Sequence, residues 1–389
     1  MFKRIKKAGI KLLPEESMRF LNLHSAVKMV SLNLAGIFSL IYLYKNGLQI
    51  WQVCLALAAI LILRLIVRPL SLKLVFRSGL RKSVLLGSLS YAGLFQLLYL
   101  VNGINIWLFV YIIYAAVNDT LYWLPFHAYY ASLGANKTRG KQIGMRESLV
   151  SFGSILSPAA GAFLIVNYGF YALFAAASFL VLLSCIPFLG IADAKPGTAM
   201  NFKQALKKIP KSGFWLFVGD GAYSTGLVII WPLIIFFLFN NYFTYGWIFT
   251  IALVSQTMGY LVLGAFMDKG HGRIICTIAL SCAAVAMAGK ILFAYNLKTV
   301  ILFAVIDALV GTLYFTSLGT VLYNSSRSSK NTLWFQFFAE SGWDVGGFII
   351  ACIAAFFSYY GFGLRYSLIF SIIGLVVVGK VSRKYYQIG

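Results

Sequence analysis

The chain holds ten carboxylates in 389 residues, and most of them stand within or at the ends of long apolar runs. Asp119 lies midway along the run 105–131, and Arg64 lies midway along 50–75. An ionisable group at the centre of a bilayer costs roughly 3 kcal/mol on insertion scales, so each one needs a partner or a task. Their matching depths allow an Arg64–Asp119 ion pair. Paired, the carboxylate stays charged; released, it is a candidate to carry a proton. Tyr122 and Trp123 follow Asp119 at i+3 and i+4, which sets an aromatic patch beside the acid.

Glu340 and Asp344 are spaced i, i+4 and share one helical face. Two like charges so close suit a proton or cation site; the competing reading pairs them with Lys290 or Lys28. Glu147, beside Arg146 at the start of its run, reads as a capping or gating group. Arg68 and Lys73 lie nearer the end of theirs and are expected to snorkel to the surface. His24 and His271 fall at interfaces and His127 near an inner helix end, each expected to be held by a hydrogen bond. The cysteines all lie in apolar segments and read as small hydrophobic fillers. No metal-ligand spacing, phosphate-binding loop or nucleophile–base pair is visible. The expectation is therefore no enzyme and no cofactor, with H+ as coupling ion.

The elements that position these groups follow from composition. At 60% hydrophobic and 11% charged residues, the chain reads as an all-α membrane protein; a β-barrel would show short alternating segments instead. Twelve spans are expected, at 23–45, 50–75, 83–101, 105–131, 145–166 and 170–191, then 214–239, 246–267, 273–295, 299–323, 333–357 and 362–381. The organisation is an N-terminal segment 1–22, a six-helix bundle 23–191, a basic linker 192–213 and a second bundle 214–389. In the linker, Pro196 and Pro210 bracket a short amphipathic helix with Phe202, Leu206 and Ile209 on one side.

A net charge of +23 in a soluble chain would point to nucleic acid. Here Lys and Arg gather in the N-terminal arm, the linker, the C-terminal tail and alternate loops, while the remaining loops hold just Lys45, Lys298 and Arg365. That asymmetry places both termini and the linker in the cytoplasm. The basic charge then meets lipid headgroups, with no role for nucleic acid.

The two bundles are copies of one module. One offset superposes Glu147–Ser148 on Glu340–Ser341, Gly153 on Gly346, Ser132 on Ser325 and Lys137 on Lys330; an offset one shorter superposes Thr120-Leu121-Tyr122 on Thr312-Leu313-Tyr314. Two repeated halves in a polytopic chain suggest a pathway between them.

Six plus six spans around a basic linker resemble the major facilitator superfamily. The family's loop between helices two and three carries G-x-x-x-D-R/K-x-G-x-R/K-R/K. Residues 76–82, FRSGLRK, match its second part through Gly79 and Arg81, with Phe76 in the place of the acid. Residues 264–273 match its first part through Gly264 and Asp268, followed after one extra residue by glycine and Arg273. The resemblance implies that these loops latch the halves on the cytoplasmic side. The run Gly144, Gly153, Ser157-Pro158, Gly161-Ala162 is similar in spacing to the fifth-helix motif of the family's proton antiporters, whose small residues allow close helix contact. Against this, the antiporters' buried arginine of helix four is missing, and Asp119 occupies that helix. The resemblance also places Asp119, Asp220 and Asp307 on cavity-lining helices.

Together these readings imply a monomeric secondary transporter of the inner (cytoplasmic) membrane that works by alternating access. Its first reading is proton-coupled export of a small amphipathic or cationic compound. Uptake symport of a nutrient or organic anion, with Arg64, Lys28 and Lys290 as contacts, and lipid flipping stay open. A non-transporting sensor or scaffold would need a readout domain, and none is seen.

Overall fold

The computed structural model describes residues 14–133, 139–191, 197, 200–263 and 272–388. Every regular element among them is helical, as the uniformly apolar runs require. A backbone in hydrocarbon must satisfy its own hydrogen bonds, and a helix does so within one segment. Among the described residues, nine stretches are long and apolar enough to cross a membrane. One of them, Arg139–Leu189, is 51 residues long and doubles back on itself. Two further helices, Leu80–Tyr99 and Tyr242–Leu263, each reach about 30 Å at 1.5 Å per residue and pack in the same bundle.

The first half begins with α1 (Pro14–Leu34), a single 3-10 turn at Gly36–Phe38 and α2 (Ser39–Lys45). The helix is already formed before the expected residue 23, and the apolar span that begins in it runs Glu16–Lys45. Next come α3 (Ile50–Ser78), α4 (Leu80–Tyr99) and α5 (Ile106–Leu133). Between α3 and α4 stands one residue, Gly79, with φ at +85°, a conformation that side-chain-bearing residues rarely adopt.

The fifth span was expected to be one helix over 145–166. It is instead α6 (Arg139–Ser154), a break at Ile155–Leu156, and the first arm of α7 (Ser157–Ser184). Pro158 causes the break: it has no N–H to give to Ser154, four residues earlier, and its ring crowds that carbonyl. It therefore sits in a first turn, not inside a continuous helix. Inside α7 the chain reverses at Gly169, with φ +79°. The rising arm lays Gly161 against the Leu34 carbonyl, and the returning arm bonds Ser31 through the Ala177 carbonyl at 2.8 Å. The α-helix of the sixth span ends at Ser184, and a 3-10 turn opened by Pro187 carries the span to Leu189, close to the expected residue 191.

In the linker region α8 (Phe202–Lys208) is closed by a capping box of Asn201 and Gln204. Ala205 and Ile209 face the protein, whereas Phe202 and Leu206 stay exposed. The second half comprises α9 (Ser212–Ser224), a π-helical segment Thr225–Ile230, α10 (Trp231–Phe239), α11 (Tyr242–Leu263), α12 (Gly272–Phe293), α13 (Leu297–Ser328), α14 (Thr332–Tyr359) and α15 (Leu368–Ile388). Asn296 and Asn331 cap α13 and α14 through backbone N–H groups three residues on, as asparagine caps do.

The halves repeat each other in packing as in sequence. In the first, α7 backs onto α1; in the second, Gly342 and Gly346 of α14 back onto the α9 carbonyls of Phe214 and Val218. Across the halves α3 meets α14, and Gly246 of α11 lies on the Pro158 carbonyl and Ala162. The repeat partners Gly153 and Gly346 differ in one respect. A Cβ on Gly346 would fall 2.1 Å from the Val218 oxygen, whereas on Gly153 its nearest neighbour is Val30 Cγ2 at 3.6 Å. Gly346→Ala is therefore expected to cost about 1–3 kcal/mol by forcing two backbones apart, and Gly153→Ala to be neutral or mildly stabilising. Thermal unfolding in detergent tests this contrast, and equal melting temperatures for the two variants would refute it.

Candidate functional site

The charged groups of the apolar spans converge where α3 and α5 of the first half meet α14 of the second. Arg64 stands at the middle. Its Nη1 lies 3.3 Å from Asp119 Oδ2, its Nη2 3.6 Å from Glu340 Oε2 and its Nε 2.9 Å from Asp344 Oδ1. Arg68, one turn on, reaches Glu340 Oε2 at 3.8 Å and pairs tightly with Asp344. The two arginines are i, i+4 on α3, and Glu340 and Asp344 are i, i+4 on α14, so two helical rows of matched pitch mesh. Trp343 caps the cluster, its ring 5.3 Å from the Arg64 guanidinium.

Two expectations change here. Arg68 does not snorkel: it is 1% exposed, because two carboxylates of the other half meet it where it stands. Glu340 and Asp344 take their counter-charges from Arg64 and Arg68, not from Lys28 or Lys290.

Lys28 of α1 enters the same region from the other side. It is fully buried, and its Nζ lies 2.9 Å from the ring centroid of Tyr122, 4.1 Å from that of Tyr91 and 5.7 Å from that of Trp123. Its Nζ has no hydrogen-bond partner among the described residues, and the π faces of this box are its nearest compensation. Counted together, Lys28, Arg64 and Arg68 balance Asp119, Glu340 and Asp344.

A polar chain runs from the cluster toward the linker end. His127 Nε2 lies 3.7 Å from Glu340 Oε1, and its Nδ1 is 2.8 Å from the Tyr323 hydroxyl on α13. That hydroxyl accepts from Arg146 Nη1 at 3.4 Å, and Arg146 also holds Glu147. Arg146 stacks over Tyr130 at 4.7 Å. Two turns earlier, at the start of α6, Arg139 donates to Asn324 Oδ1 across the halves at 3.3 Å and to the carbonyls of Tyr130 and Ala131.

The remaining expected residues lie apart. Asp220 of α9 accepts from Ser224 and from the Tyr314 hydroxyl, both at 2.9 Å, just before the π segment; such segments often mark functional positions. Asp307 of α13 pairs with Lys290 of α12 at 2.8 Å. Gly79 is the α3–α4 reversal, and Arg81 donates to the Leu189 carbonyl within the first half. Phe76 instead reaches across the halves to Trp334, with ring centroids 6.5 Å apart. Arg273 is exposed at the start of α12. Gly264, Asp268 and His271 lie outside the described residues. His24, expected at an interface, is wholly buried, bonded to the Ser184 carbonyl at 2.7 Å and 3.2 Å from the Tyr122 hydroxyl.

Sequence reasoning missed the parts played by Arg68, His127 and Tyr323. For Arg68 a signal was present: its i, i+4 spacing from Arg64 mirrors that of Glu340 and Asp344. Nothing local marks His127 or Tyr323, whose meeting depends on how two distant helices cross.

The sequence profile of the Major Facilitator Superfamily matches residues 25–240, more than half of the chain. The chain belongs to the major facilitator superfamily. That makes it an integral membrane protein and a secondary transporter of small molecules, in a family that is generally not enzymatic. No curated protein matches it in sequence.

Solved structures agree on the superfamily fold. The human organic anion transporter MFSD10 (TETRAN) superposes with TM-score 0.69 at 11% identity, covering 96% of this chain and 100% of that one. The transporter FucP in its outward conformation superposes with TM-score 0.70 at 12% identity, covering 95% and 98%. The E. coli fucose:proton symporter FucP, in a second structure, gives 0.68 at 15% identity, also covering 95% and 98%.

In this superfamily member the cluster is a cross-half tie, and removing one member of a buried pair leaves the other charge uncompensated. Arg68→Met is expected to destabilise by roughly 3–5 kcal/mol. Adding Asp344→Asn to it should recover part of the loss, with a coupling of about 0.5–3 kcal/mol. A double-mutant cycle in detergent checks this; strictly additive losses would mean the two side chains do not act together.

Proposed function

We propose that this transporter is proton-coupled and that the Asp119–Arg64–Arg68–Glu340–Asp344 cluster is its coupling element. The observation that carries the reading is that these ion pairs straddle both halves and, with Lys28 counted in, balance in charge. Alternating access requires the halves to part, and a bare carboxylate left behind in the low-dielectric interior is costly. A proton on Asp119 or Glu340 offsets that cost as the arginines withdraw, which ties proton uptake to the conformational step. Glu147 and Arg146 serve as the gate at the linker end, which faces the cytoplasm.

The first reading of direction is export of a small amphipathic or cationic compound in exchange for protons. It is supported by the α6–α7 motif, whose small residues sit in tight contacts: Gly161 against α1, and Pro158 with Ala162 against Gly246 of the other half. In this scheme a cationic substrate competes with the proton, and with Arg64, for Asp119. Trp123 and Tyr122 supply the aromatic surface.

A second reading is favoured by Lys28. All three cluster carboxylates have arginine partners, whereas this buried ammonium has only aromatic faces. A small organic anion entering beside it would gain a charge-assisted contact, and proton symport would follow.

The test is proton exchange by purified protein in weak buffer. Tetraphenylphosphonium is expected to release protons from the wild type and to release none from Asp119→Asn. Benzoate that causes proton uptake, lost in Lys28→Met, would replace the first reading with the second. Demonstrated binding of either probe without any proton change would overturn proton coupling at the cluster.

A further inference from the structure

At the linker end, outside the charge cluster, a cavity of about 580 Å³ lies between the two halves and the linker. That volume is within the range of small-molecule sites, roughly 300–1,000 Å³. Three separate segments wall it. The last turns of α3 contribute Pro69, Leu72, Lys73, Phe76 and Arg77; the linker contributes Met200, Asn201 and Phe202; the first turns of α14 contribute Trp334 and Phe337.

Three features of this wall are not needed for packing alone. First, among the described residues the only charged ones lining the cavity are Lys73 and Arg77, i, i+4 on one face of α3 and both exposed. Second, Trp334 is 4% exposed, yet its indole N–H finds no acceptor among the described residues; a buried indole normally has one. Third, Phe202 of α8 remains 51% exposed beside the cavity, on a helix whose Lys203, Lys207 and Lys208 face outward. That is the pattern of a helix lying at a membrane surface.

We propose that this cavity is a binding site for an anionic phospholipid from the leaflet at the linker end. The acyl chain packs among Leu72, Phe76, Phe202 and Phe337. The phosphate meets Lys73 and Arg77, and the Trp334 ring forms part of the apolar wall. Charge decides the lipid class: two cations, with no carboxylate among the described lining residues, favour a net-negative headgroup over a zwitterionic one. The site bridges α3 of one half, α14 of the other and the linker, so its occupant acts as a wedge at the seam that opening would part. The assignment does not depend on what the protein transports.

The experiment reads Trp334 directly. Purified protein is reconstituted into phosphatidylcholine vesicles carrying either brominated phosphatidylglycerol or brominated phosphatidylcholine. The Trp334 contribution is the difference between wild type and Trp334→Phe. Brominated phosphatidylglycerol is expected to quench this component at roughly tenfold lower mole fraction than brominated phosphatidylcholine. Lys73→Gln with Arg77→Gln should abolish that preference; both side chains are exposed, so the fold is expected to survive, and size-exclusion profiles check it. Equal quenching by the two lipids, or a preference that survives the double substitution, would overturn the proposal. So would a Trp334 response reproduced by soluble glycerol phosphate alone, or no quenching by either lipid, which would mean that protein, such as residues 1–13, fills the cavity.

Discussion

Charge burial without water is the constraint on which the rest of this structure depends. Arg64 and Arg68 lie within one turn of each other in a helix surrounded by apolar side chains, and their own half offers one close carboxylate, Asp119. The other two, Glu340 and Asp344, come from α14. Each half taken alone would hold an unbalanced set of charges, positive in the first and negative in the second, in a medium where such charges are very unfavourable. The two bundles are thus bound to each other by electrostatics at mid-depth. Their small-residue contacts, Gly246 on Pro158 among them, bring the backbones close enough for that to happen.

The halves also touch at both ends of the bundle, through different chemistry. At the linker end the contacts are polar and aromatic: Arg139 to Asn324, His127 to Tyr323, Phe76 to Trp334. At the opposite end Lys45 meets Asn240 at 2.9 Å, the Tyr245 hydroxyl donates to the Ile37 carbonyl at 2.8 Å, and Tyr44 packs edge-on against Phe237. Each end therefore has its own set of contacts across the halves, and the central cluster lies between them.

Much of this fold was legible in the chain because hydrocarbon leaves so few choices. Apolar runs of span length must be helices, and the recurrence of Glu147–Ser148 as Glu340–Ser341 announced two copies before any packing was known. Helix ends were less legible. Pro158 broke a helix that composition alone would have continued, and Pro187 tightened the end of the sixth span into a 3-10 turn. In the site, depth along the spans paired Arg64 with Asp119. The partners of Glu340 and Asp344 were not legible, because they are set by which helix of one half faces which helix of the other. His127 and Tyr323 stood out in no local pattern for the same reason.

The reversals at Gly79 and Gly169 leave no slack between the helices they join. A single glycine with positive φ connects α3 to α4, and another turns α7 back on itself, so at each corner the two limbs are held together by one residue. A shift of α3 along its axis therefore carries the first turn of α4 with it. The regular helical ladder is interrupted elsewhere, at the break before Pro158 and at the π segment after Asp220. The mechanical parts of this protein are thereby sorted into rods and joints by the placement of a few glycines and prolines.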